Sequence, residues 1–133
     1  MPSIVPPKTV EQLAAETGFA PEAFIFVQQS LGIVAERTHG AKPKSASRHV
    51  SGQQLAMGLR DVAHETWGQL AGAVLNRWGI YSTLDFGRIV YAMIDAGFMA
   101  KTAEDSLEDF RNVYDFKAAF ERGYRFPAAV VRD

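Results

Sequence analysis

The 133-residue sequence contains no cysteine. Disulfides, thiol nucleophiles, iron–sulfur clusters and cysteine-based zinc sites are excluded together, and the composition suits a reducing cytoplasm. Net charge is nearly absent as well. Fourteen Lys and Arg against fifteen Asp and Glu leave −1 with His neutral, so no global field draws the chain to nucleic acid or to anionic lipid. No apolar run approaches the roughly 18 residues of a membrane-spanning helix. The opening Met1-Pro2-Ser3-Ile4-Val5-Pro6-Pro7-Lys8 lacks the basic-then-apolar order of a secretory signal. Histidine is scarce, at three residues, and no histidine or carboxylate spacing recurs on one helix face. The sequence therefore points to no metal, no cofactor and no catalytic residue.

What the chain does hold is material for one core. It is 47% hydrophobic, with nine Phe, four Tyr and two Trp. A chain of this length buries roughly two-thirds of its unfolded surface without a metal or disulfide staple. A single domain over 1–133 is expected, with 1–8 and 123–133 as tails.

Helix punctuation is dense, and the expected class is all-α, with five or six helices. Thr9-Val10-Glu11-Gln12 is a capping box opening a short helix that Gly18 closes. Pro21 suits the first position of a second helix through about Glu36, apolar on two faces: Phe24, Val27, Leu31 and Val34 on one, Phe26 and Ile33 on the other. Residues 37–50 carry four basic residues, two histidines and no acid, without apolar period, and read as a mobile basic loop. Ser51-Gly52-Gln53-Gln54 opens a third helix with Leu55, Leu59, Val62 and Ala63 inward, and Met57, Arg60 and His64 on the far face. Gly68 interrupts it, and Leu70, Val74, Leu75 and Trp78 form the stripe of a fourth helix. Ser82-Thr83-Leu84-Asp85 starts a fifth, burying Phe86, Ile89, Val90, Met93 and Ile94 and ending at Gly97. Beyond it a short acidic helix, or alternatively a β-hairpin over 98–113, precedes a last helix capped by Asp115. The hairpin would make a winged-helix-like variant.

Several groups could carry function. Met57, His64 and Trp67 lie off the third helix's core stripe and are candidates for contact with a protein partner or a second copy of the chain. The alternative is that the terminal helices cover them. Arg37, Lys42, Lys44 and Arg48 are candidates for nucleic-acid or anion contact. The segment from Gln69 to Ala96 has the outline of a helix-turn-helix, but its second helix offers only Arg88, Tyr91 and Asp95 outward. The acidic stretch after it would repel phosphate. Asp105 and Asp109, one helical turn apart, could serve acid–base chemistry but match an ordinary acidic first turn equally well. The leading expectation is a non-enzymatic protein-interaction or regulatory module. The competing one is a nucleic-acid-binding helix-turn-helix or winged-helix-like protein.

The strings His49-Val50-Ser51-Gly52-Gln53, Trp78-Gly79-Ile80, Asp85-Phe86-Gly87-Arg88-Ile89-Val90, Ala96-Gly97-Phe98, Lys101-Thr102-Ala103-Glu104-Asp105-Ser106, Glu108-Asp109-Phe110 and Tyr114-Asp115-Phe116 resemble a family of short bacterial hypothetical proteins, over roughly Pro21 to Phe120. The resemblance implies a bacterial, cytoplasmic single-domain protein and carries over no activity, ligand or site residue. Gln54 departs from the acidic residue of that pattern, and either completes a capping box.

Overall fold

The computed structural model describes residues 8–40, 49–100 and 105–121. Among the described residues six α-helices follow in order: α1 (Val10–Thr17), α2 (Pro21–His39), α3 (Gly52–Trp67), α4 (Ala71–Arg77), α5 (Thr83–Asp95) and α6 (Phe116–Ala119). Two 3-10 turns, Gly68–Leu70 and Leu107–Phe110, interrupt them. The fold is all-α, with no strand among the described residues.

The helix starts are local chemistry. Thr9 and Ser51 each accept a hydrogen bond from the N–H three residues on, and Gln12 and Gln54 return bonds to the cap N–H groups. Ser82 supplies half of a third box by accepting from Asp85 N–H. Asp85 itself reaches further back and accepts from Tyr81 N–H at 2.8 Å. At the ends, Gly18, Gly79 and Gly97 adopt φ of 88°, 94° and 88°, the left-handed conformation that costs glycine least. After Gly97, Phe98 N–H closes on the Met93 carbonyl.

Two expectations are corrected. α2 runs to His39 rather than stopping at Glu36, so Arg37 and His39 are helical. Of the two readings for the stretch after α5, the short acidic helix is the one observed, as the single turn Leu107–Phe110, and not the hairpin, because Ser106 accepts from Glu108 N–H while Asp109 accepts from Ser106 N–H, a cap that favours a helical turn over extended pairing. Leu70 leaves the fourth helix's stripe: the turn at Gly68–Leu70 rotates it outward to 67% exposure, and Ala71 and Gly72 join the expected Leu75 on the inward face. The remaining basic candidates Lys42, Lys44 and Arg48 lie outside the described residues, as do the tails apart from Lys8, which pairs with Glu16.

One core joins all the helices, with Leu13, Phe24, Val27, Leu59, Leu75, Ile80, Phe86, Ile89 and Met93 almost fully buried. Two aromatic groups flank it. Phe26, Trp67 and Trp78 meet at ring-centroid distances of 5.2–5.9 Å, and Tyr114, Phe116 and Phe120 pack over Phe86 and His64. Such pairs contribute about 0.5–1.5 kcal/mol each beyond their burial.

The turn Leu107–Phe110 is locked to α3 and α5 by Phe110. Its ring lies where Gly52 and Gly87 lack a Cβ: an added methyl would stand 2.7 Å from Asp109 Cβ at Gly52 and 2.8 Å from the Phe110 side chain at Gly87. Thr83 Oγ1 donates to the Phe110 carbonyl at 2.6 Å and accepts from Val113 N–H at 3.2 Å. Gly87→Ala is expected to destabilise the protein by about 1–2 kcal/mol, the overpacking cost exceeding the gain in helix propensity. Urea unfolding monitored by circular dichroism measures it, and an unchanged or higher midpoint would contradict this packing.

Candidate binding pocket

Four segments converge on a pocket of about 350 Å³. α2 contributes Leu31, Gly32 and Ala35. The start of α3 contributes Val50, Gly52 and Leu55, and α5 contributes Val90, Tyr91 and Ile94. Met99, Ala100 and the stretch Asp105–Phe110 complete the wall. The volume is at the small end of ligand sites, and the pairing of an apolar floor with a few convergent polar groups is characteristic of them.

The polar groups stand on one side. His49 Nε2 lies 3.0 Å from Asp105 Oδ1, and because a carboxylate only accepts, Nε2 carries the hydrogen. His39 Nε2 in turn donates to the His49 carbonyl at 2.7 Å. These two contacts connect the end of α2, the entry to α3 and the entry to the turn Leu107–Phe110 along the pocket mouth. Asp109, held by its bond from Ser106 N–H at 3.1 Å, lines the same side. Tyr91 faces both carboxylates. Burial first, then the negative charges of Asp105 and Asp109, hold its phenol above the ordinary value of 10.0.

Gly32 is the feature without an internal cause. Among the described residues, four other glycines lie inside α-helices, and each is required by packing. Gly52 and Gly87 admit Phe110, Gly58 admits Val34, and Gly72 admits the Phe120 backbone. Among the described residues a Cβ on Gly32 would meet nothing within 4 Å, and its backbone is helical. Glycine in a helix interior costs about 0.5–1 kcal/mol relative to alanine. Here that cost leaves bare backbone at the edge of the pocket.

The residues singled out from sequence fare unevenly. Met57 is exposed. Trp67 is half-buried against Phe26 and Trp78, and His64 is half-buried beneath Phe120, its ring stacked at 5.0 Å and its Nε2–H donating to the Ala119 carbonyl at 2.7 Å. These two side chains pack the chain's own helices. Arg37 forms a two-pronged ion pair with Glu65 at 2.9 and 2.7 Å, which raises its already high pKa. In the helix-turn-helix outline, Arg88 is paired with Asp85 and Tyr91 turns toward the pocket. Asp105 and Asp109 do come together, with His49 beside them. Tyr91 and Gly32 carried no sequence signal for this site, since its walls come from segments far apart in the chain. Among the described residues no three His, Asp or Glu side chains are grouped to hold a metal ion, and no helix is long and apolar enough to cross a membrane.

Comparison with protein-family models, with curated proteins and with solved structures finds no match.

Two predictions follow from the pocket's walls. Gly32→Ala raises stability by about 0.5–1 kcal/mol, because nothing in the fold needs the missing methyl; a loss in urea unfolding would contradict the open space around it. The folded protein keeps the Tyr91 proton that the unfolded chain releases. That contribution is complete below about pH 10 and disappears as pH rises through the folded value. Tyr91→Phe should therefore make the fall of stability above about pH 10 shallower, as read from urea midpoints across the alkaline range. An identical slope in the two proteins would refute it.

Proposed function

We propose that this chain is a non-enzymatic protein-interaction module, and that the pocket between α2, α3, α5 and the turn Leu107–Phe110 seats an apolar side chain of a partner segment. The observation that carries this reading is Gly32. Its missing Cβ relieves no contact with any described residue, and it lies at the edge of the pocket, where an incoming backbone or side chain would need room. Ile25 and Ile33 are further apolar side chains exposed on the same helix, outside the pocket. A segment laid along α2 at Gly32 would seat its anchor in the pocket, the way grooves take short peptides. The cysteine-free composition is consistent with a cytoplasmic setting for such a partner.

The test is selection of displayed random peptides of about twelve residues, a length able to span such a groove, against the immobilised protein. The peptides are then re-screened on Gly32→Leu. Leucine at this helical position is tolerated by the fold and fills the pocket mouth. Enriched peptides should carry a bulky apolar residue and bind Gly32→Leu at least about tenfold more weakly, a difference of roughly 1.4 kcal/mol. Peptides that bind both proteins equally, or no enrichment at all, would refute the docking site.

A further inference from the structure

The docking reading leaves the anchor's identity open, and the size of the pocket narrows it. A cavity of about 150 Å³ lined by leucine, isoleucine and phenylalanine takes up one benzene ring. The pocket beside Gly32 measures about 350 Å³, more than twice that volume. Leucine and valine side chains are smaller than benzene, and either would leave most of the space to water against Leu31, Leu55, Val90 and Ile94. A single phenyl ring would still leave about half of it open. Unfilled apolar space forfeits the dispersion contacts that binding would otherwise gain.

Resting on that reading, we infer that the anchor is a two-ring aromatic side chain, the indole of a tryptophan in the partner segment. The walls match this group in kind as well as in size. Tyr91, Phe110 and Met99 line the pocket, and rings pair with rings and with thioether sulfur by amounts beyond the area they bury. Met99 is also unbranched, so its side chain adjusts to a flat group. An indole carries one N–H on an otherwise apolar frame, and the pocket carries its polar groups on one side, with aliphatic side chains making up the rest. Gly32 completes the match. With no Cβ there, and nothing among the described residues in its place, a partner backbone can come close enough to α2 for a wide ring system to reach the floor.

The selected peptides decide the matter. Among those that lose binding on Gly32→Leu, tryptophan should be the recurrent anchor. In the tightest of them, replacing that tryptophan by phenylalanine should weaken binding severalfold, and by leucine about tenfold or more. Ala35→Leu adds bulk to the pocket wall and keeps a good helix former in α2. It should reverse the order, so that the phenylalanine peptide binds at least as tightly as the tryptophan one; a merely structural effect would weaken both by the same factor. The unaltered protein supplies a second readout. N-acetyltryptophanamide should shift the backbone amides of Gly32, Ala35 and Ile94, and N-acetylleucinamide at the same concentration should not. Pocket-dependent peptides anchored on an aliphatic side chain or a single ring would overturn this inference while leaving the docking site standing. So would a tryptophan preference unchanged by Ala35→Leu, or equal shifts from the two amides. An absence of pocket-dependent peptides would overturn both.

Discussion

The site's geometry depends on the seating of the Phe110 ring. The ring enters a gap that exists only because residues 52 and 87 have no side chain, and Thr83 fixes the backbone on both sides of it through one hydroxyl that donates and accepts. Without that seat the stretch Asp105–Phe110 would have little to hold it, since its single helical turn is too short to be stable alone. With it, two carboxylates and a serine cap are carried to the same wall as Tyr91 and His49. Phe110 thus converts a core contact into the position of polar groups at the surface. The conversion is rigid, because close-packed interiors give little to small displacements.

The helical glycines separate two kinds of constraint. At positions 52, 58, 72 and 87 the missing side chain is explained by a neighbour from another element, and each marks a close approach within the fold. At position 32 the same omission has no neighbour among the described residues to explain it. An unforced helical glycine is a small thermodynamic loss, and folding alone gives no reason to keep it. That is why a site can be argued here without a ligand or a catalytic motif. Among the described residues the large exposed apolar side chains away from α2, Met57, Leu70 and Tyr81, are single residues of the sort that soluble proteins commonly show, and none borders this pocket.

Much of the fold was legible in the sequence because its determinants are local. The boxes at Thr9 and Ser51, the glycine stops at 18, 79 and 97, and the inward stripes of α3 and α5 all depend on residues within a turn or two of each other. The errors have identifiable causes, one local and one not. A single 3-10 turn displaced Leu70 from the stripe that spacing assigned to it, and long-range ion pairing from Arg37 to Glu65 accompanies an α2 longer than its apolar period suggests. The site was scarcely legible, for a different reason. His49 and Asp105 meet only after α3 and the turn Leu107–Phe110 are docked on α5. Tyr91 reads in sequence as one more residue on an outer face. His64 and Trp67 were conspicuous as aromatic groups off the main stripe, yet α6 and the tryptophan–phenylalanine cluster occupy them. Periodicity identifies a second apolar face without indicating whether the chain itself will cover it.

The most direct test of the claim that this pocket is the recognition surface is backbone amide chemical-shift mapping of the whole chain titrated with a selected peptide. The account predicts that the largest changes fall on Leu31–Ala35, Val50–Leu55 and Asp105–Phe110, with Tyr91 and Ile94 between them. Changes centred instead on Leu70, Ala73 and Tyr81, with the amides of Gly32 and Asp105 unmoved, would contradict it.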